Sequence, residues 1–178
     1  MKYIALLRGI NVGGKNKIKM IDLKKIFELL GFKNVKTYIQ SGNVMFDCDS
    51  HDEVTLATQI ENKIGETFKI LVKVIIRSEG ELRNIITNNP FIKVPDIELD
   101  KLYVTFMSDN PVQTSISFLD ARKGENEKFT IISRQVYLYF PNGYGKAKLN
   151  NTFIEKKLKI VATTRNWKTI NNIVANLI

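Results

Sequence analysis

Cysteine is nearly absent from this chain: Cys48 is the single one in 178 residues, so no intrachain disulfide can form. Histidine is as scarce, and His51 alone cannot pair with one cysteine to build a Cys/His zinc site or serve a nucleophile elsewhere in the sequence. Four prolines and ten glycines leave no room for a low-complexity or collagen-like segment. No run approaches the roughly 20 apolar residues of a membrane span. The first apolar stretch, Tyr3–Leu7, is too short for the core of a signal peptide. A soluble, cytoplasmic protein is the expectation, with no membrane partner and no cofactor signature.

Acidic residues are also in deficit. Lys and Arg number 27 against 18 Asp and Glu, and the net charge is +9. The excess sits at the two ends: +5 in residues 1–50 and +6 in 146–178, against −3 in 51–100. Basic ends attract phosphate, nucleic acid or an acidic partner. Most of these residues are lysine, which an AT-rich coding sequence also writes onto an ordinary solvated surface.

Apolar periodicity gives the fold. "KYIALLR" (2–8) reads as a buried strand. Leu23, Ile26, Phe27 and Leu30 share one face of a helix that Gly31 closes. "VKTYIQ" (35–40) and "NVMFD" (43–47) read as a hairpin around "SG". Ser50 and Glu53 form a capping box for a helix with Val54, Ala57, Ile60 and Ile64 on one face. "ILVKVII" (70–76) is a strand, and Ser78 and Glu81 cap a short helix. The order β-α-β-β-α-β predicts a ferredoxin-like lobe, an antiparallel sheet with helices on one face. After a linker at 91–100, the strand 101–107, a helix from Pro111 to about Lys123, the hairpin 128–140, a helix near 151–160 and a last helix through Trp167, Ile170, Ile173, Val174 and Leu177 echo that order. The expected domains are therefore 1–90 and 101–178, an α+β protein of two ferredoxin-like lobes. No residue-level repeat between the halves is evident.

The stretch "LLRGINVGGKNK" (6–17) satisfies G-x-x-x-x-G-K, but Asn16 stands where a P-loop needs Ser or Thr. The residues "NKIKM" (16–20) precede the helical period, and a P-loop belongs to a parallel sheet. A looser anion site survives. In the expected lobe the loop after the first strand and the turn after the second share one rim, so Arg8, Asn11, Gly13, Gly14, Lys15 and Asn16 should neighbour Gln40, Ser41 and Asn43. The alternative is that Gly13 and Gly42 serve tight turns and the Asn side chains bond local backbone. Farther on, "PNGYGKAKL" (141–149) offers Lys146 and Lys148, and "TTRNW" (163–167) places Arg165 at a helix start with Thr164 as cap. His51 reads as a helix-start residue and Cys48 as structural. Neither "YIALLR" nor "NVMFD" matches the aromatic pattern of an RNA-recognition sheet.

These motifs, "ALLRGINVGGKNK", "YIQSGNVMF", "PNGYGKAKL" and "TTRNWKTI", together resemble an uncharacterised bacterial family, the domain-of-unknown-function family numbered 1697. The resemblance implies an α+β protein with two ferredoxin-like lobes; it implies no activity and carries over no catalytic residue. The leading expectation is an anion-binding module for a phosphate-bearing small molecule, nucleotide or nucleic acid. The alternatives are an enzyme of unknown class, with Arg8, Lys15 or Arg165 stabilising charge at a pocket between the lobes, and a protein-interaction module without a small ligand.

Overall fold

The computed structural model describes residues 1–49 and 52–177. Ser50 and His51, expected at a helix start, lie outside the described residues. The chain divides into two units, Met1–Asn84 with the stretch from Ile173 onward, and Ile85–Asn172. The division places residues 91–100 inside the second unit and moves the end of the last helix to the first.

In the first unit the order is β1 (Lys2–Leu7), α1 (Met20–Leu29), β2 (Lys33–Tyr38), β3 (Asn43–Asp47), α2 (Glu53–Phe68), β4 (Val74–Ser78) and the start of α3 (Glu79–Thr87), whose residues from Ile85 on belong to the second unit. The sheet runs β2-β3-β1-β4 and every neighbouring pair is antiparallel. Alternation along β1 sends Tyr3, Ala5 and Leu7 to the helical face, where they join Val44, Phe46, Leu23, Phe27, Leu56 and Ile60 in one core. Burying a large apolar side chain of this kind contributes about 1.5–3 kcal/mol. Phe46 is the centre of an aromatic group: its ring lies 4.5 Å from Phe32, 5.4 Å from Phe27 and 5.9 Å from Tyr3. Residues of the opposite face, Ile4, Leu6, Met45, Ile75 and Arg77, are buried too.

The second unit repeats the plan with β5 (Leu102–Met107), α4 (Ser117–Arg122), β6 (Lys128–Ile132), β7 (Gln135–Tyr139), α5 (Asn151–Leu158), β8 (Ala162–Asn166) and α6 (Trp167–Ala175), its sheet ordered β6-β7-β5-β8. Met107, Val136, Leu138 and Phe140 pack with Leu119, Ile154 and Leu158. Tyr137 lies on the other face, buried, and donates to Ile85 O at 3.3 Å; burial pushes its phenol up to about 12.

Four local expectations need correction. In α2 the buried side chains are Leu56, Ile60 and Ile64, while Val54 is 75% exposed, so the apolar face is rotated from the one expected. The cap there is Asp52, whose carboxylate accepts from Val54 N at 3.0 Å and, held by Thr55 Oγ1 as well, titrates below the usual carboxylate range. Strand β4 starts four residues later than expected, at Val74. Pro111 precedes a short 3-10 turn, Gln113–Ser115, and α4 begins only at Ser117.

Candidate functional site

The opening loop is a self-bonded structure. Val12 and Lys15 form a bridge around Gly13 (φ 58°) and Gly14 (φ 76°), with Lys15 N donating to Val12 O at 3.1 Å. Both glycines take the same left-handed conformation, that of a mirror-image hairpin turn, so residues 13–14 lack the alternating hands of an anion nest. Asn11 and Asn16, also at positive φ, close the base of this small hairpin: Asn11 N donates to Asn16 O at 3.2 Å and Asn16 Nδ2 donates to Gly9 O at 3.1 Å. Buried Ile10 and Ile18 anchor the loop in the core.

Asn11 is the staple between two loops. Its Oδ1 accepts from Ile18 N at 2.8 Å, and its Nδ2 donates to Ile18 O and to Gln40 O, both at 2.9 Å. The loop after β1 and the turn after β2 are therefore neighbours on one rim. Gly42 seals the junction: its carbonyl accepts from Leu7 N at 2.8 Å. Its φ is +76°, and a Cβ there would meet Ile10 and Leu7 side-chain carbons at 2.8 Å. Arg8, half-buried, adds a backbone link from its N–H to Lys73 O at 2.8 Å.

This geometry sorts the candidate residues. Lys15 and Gln40 are exposed, and Ser41 is half-exposed on the same rim. Asn11 and Asn16 are occupied with backbone and act as scaffold. Asn43, expected to offer its amide to a ligand, is fully buried in β3, where Nδ2 donates to Tyr38 O at 3.1 Å and Ser41 Oγ at 3.0 Å. The loop also presents Lys17 and Lys19, both exposed, which the glycine motif does not single out. The signal was there: residues 8–19 hold four basic side chains and no acid.

The remaining three candidates belong to the second unit. Lys146 and Lys148 line a cavity of about 240 Å³ together with Gly124–Glu127 and Phe140–Gly143. Glu127 clasps its two walls, accepting from Gly124 N at 3.0 Å and Lys148 N at 2.7 Å. Arg165 is the correction. It does not stand at a helix start but in β8, buried, its Nη1 donating to Thr163 Oγ1 at 2.7 Å and to Thr164 O at 3.0 Å. Desolvation lowers its pKa to about 10, and the nearby Tyr144 opposes that shift; it stays charged at neutral pH. Thr164 is no cap either; its hydroxyl bonds Thr105 Oγ1 at 2.7 Å and Asn151 Oδ1 at 3.0 Å. Asn166 caps α6, with Oδ1 accepting from Thr169 N at 2.8 Å.

A larger cavity, about 380 Å³, opens elsewhere on the first unit, lined by Lys2, Lys24, Lys36, Glu28 and Asp47 among others. Its charges are largely answered within it: Lys24 pairs Glu28 at 3.6 Å, Asn34 Nδ2 donates to Asp47 at 2.6 Å, and Lys2 Nζ donates to Leu177 O. Among the described residues no group of three His, Cys, Asp or Glu side chains could hold a metal ion, and no helix is long and apolar enough to cross a membrane.

No curated protein matches this chain. Among solved structures it is similar to a conserved bacterial protein, SP0830 from Streptococcus pneumoniae, at 22% identity and a TM-score of 0.78, over 99% of this chain and 98% of that one. That likeness shows the fold, two four-stranded antiparallel α+β lobes, over essentially the whole length. A family profile described as a protein of unknown function, DUF1697, matches residues 1–137. The match takes in the glycine loop and the turn it is stapled to, and stops before "PNGYGKAKL" and "TTRNWKTI". The chain belongs to the DUF1697 family.

Proposed function

We propose that this protein binds a phosphate-bearing polyanion on the rim formed by residues 8–19 and 40–43. One observation carries the reading: Lys15, Lys17 and Lys19 are exposed on a loop locked by Asn11 and Asn16, with no acidic side chain between Arg8 and Lys19. A preordered loop loses little conformational entropy when it docks, and its exposed lysines act as point charges toward phosphate. The rim is a hairpin tip beside a turn, a form suited to a strand of phosphates rather than to an enclosed small molecule.

The test is binding of labelled oligonucleotides at several salt concentrations by fluorescence anisotropy. Lys15→Glu combined with Lys17→Glu should weaken binding, and the dependence of log K on log salt should flatten by about one for each phosphate no longer neutralised. Unchanged affinity and slope in the double variant would sink the proposal. A second reading rests on the 240 Å³ cavity lined by Lys146 and Lys148. It takes a small phosphate-bearing ligand, and it predicts a salt-resistant thermal shift that Lys146→Ala removes. That outcome would make an enzymatic role worth pursuing.

A further inference from the structure

The second unit carries a basic and aromatic surface that none of the motifs covers. Phe118 on α4 is 50% exposed, although the helix buries only Leu119. Lys157 on α5 places its Nζ 5.0 Å from the Phe118 ring centroid and 5.8 Å from that of Phe153. Arg122 joins the group through the second ring, its Cζ 5.9 Å from the Phe153 centroid, and Lys123 sits 6.0 Å from the Phe129 ring. Two rings and two cations are thus interleaved across the α4–α5 pair. The pattern is written in the sequence as Phe118/Arg122 and Phe153/Lys157, each at i, i+4, which puts ring and cation on one helix face.

Among the described residues neither Arg122 nor Lys157 forms an ion pair. Asp120 pairs with Lys123 at 3.1 Å, and Glu155 is turned to the β8 backbone, accepting from Ala162 N at 2.9 Å. Arg122 is exposed, and Lys157 is half-buried against the two rings. Intramolecular cation–π contacts alone would explain a modest stabilisation of the helix pair. They do not explain a phenylalanine left half open at the helix surface. An acidic peptide would use the cations and leave the rings idle. Single-stranded nucleic acid uses both, because each base offers a π face and each linkage a phosphate.

We infer that the α4–α5 face is a docking platform for single-stranded nucleic acid, with Phe118 stacking a base and Arg122 and Lys157 meeting the flanking phosphates. The inference goes beyond the polyanion reading of the rim, since it rests on residues of the other unit.

The experiment uses the full chain and three probes: a labelled oligothymidylate, the same backbone with abasic sites, and an oligoglutamate peptide. Phe118→Ala, which removes a half-exposed ring and should lower the melting temperature by no more than about 2–4 °C, is expected to weaken oligothymidylate binding about 5- to 100-fold and to leave abasic binding unchanged. Arg122→Glu with Lys157→Glu should weaken both. Wild-type affinity in Phe118→Ala, or equal affinity for the abasic strand, overturns the inference. If the Lys15/Lys17 variant alone loses binding, the inference falls and the polyanion reading stands. If oligothymidylate does not bind at all, the inference falls, and binding of duplex DNA or inorganic polyphosphate then decides the polyanion reading separately. Oligoglutamate binding that responds to the charge reversals but not to Phe118→Ala would overturn the inference and reassign the face to an acidic protein.

Discussion

The two lobes are built on one frame and differ at their loops. Strand order, antiparallel pairing and the helix after the last strand are the same in both. The register also agrees. Tyr3 faces Ser78 and Ile4 faces Arg77 in the first sheet; Tyr103 faces Asn166 and Val104 faces Arg165 in the second. Ser78 and Asn166 then perform one job, capping the next helix: Ser78 Oγ accepts from Glu81 N at 3.2 Å, as Asn166 Oδ1 does from Thr169 N at 2.8 Å. The repeat, invisible residue by residue, is a repeat of register. What differs is the connection leaving the first strand. In the first lobe it is a stapled, basic hairpin; in the second, residues 108–116, it begins with Ser108, Asp109 and Asn110, and Asn110 reaches the neighbouring turn only through a long bond, its Oδ1 accepting from Ser133 Oγ at 3.5 Å. Sheets are constrained by packing on every residue, whereas loops are constrained only where they touch, so specialisation collects in the loops.

The frame itself can be attacked in both lobes. Phe46→Ala and Phe140→Ala each remove a buried ring from an aromatic group and should destabilise by about 3–5 kcal/mol in chemical denaturation. A small loss at one of them would mean the lobes do not share the load equally. The loops should then diverge. Asn11→Ala deletes three hydrogen bonds to backbone and should lose about 1–3 kcal/mol, while Asn110→Ala in the second lobe should stay within about 0.5 kcal/mol. Equal effects would erase the distinction between the two connections. Cap removal sharpens the likeness: Ser78→Ala and Asn166→Ala should each lose about 1 kcal/mol.

One further effect appears only in alkali. The Tyr137 phenol is raised to about 12 in the fold, so the unfolded chain, titrating near 10, loses its proton first. Stability from this group is complete below pH 10 and declines as pH rises toward 12. Arg165 acts in the opposite sense, since its lowered pKa, about 10, favours the fold as pH climbs past that value. Melting followed from pH 9 to 11 should show Tyr137→Phe declining less steeply than the parent chain. A parallel decline would mean that burial is not holding that phenol.

Much of the frame was legible because apolar spacing dictates which face is covered. β8 was not, because "ATTRN" puts threonine and arginine side chains where a strand pattern shows apolar ones. Its burial is met by hydrogen bonds, Thr164 to Thr105 and Arg165 to Thr163, which composition does not announce. The same blindness misplaced Arg165 at a helix start. In α2, Val54 and Leu56 compete for the core, and the entry set by the Asp52 cap favours Leu56. The rim was legible as a place, since topology alone brings the two loops together. The division of labour within it was not: an asparagine that bonds backbone and one that awaits a ligand are written with the same letter.

The stapled hairpin has a consequence for proteolysis. Residues 8–19 offer Arg8, Lys15, Lys17 and Lys19 to trypsin, a density that in a slack loop would make this the first place cut. Cleavage needs the backbone drawn out into an extended form, and here Asn11, Asn16 and buried Ile10 and Ile18 hold it back. Nicking at this lysine-rich target therefore waits on an opening of the first lobe's core.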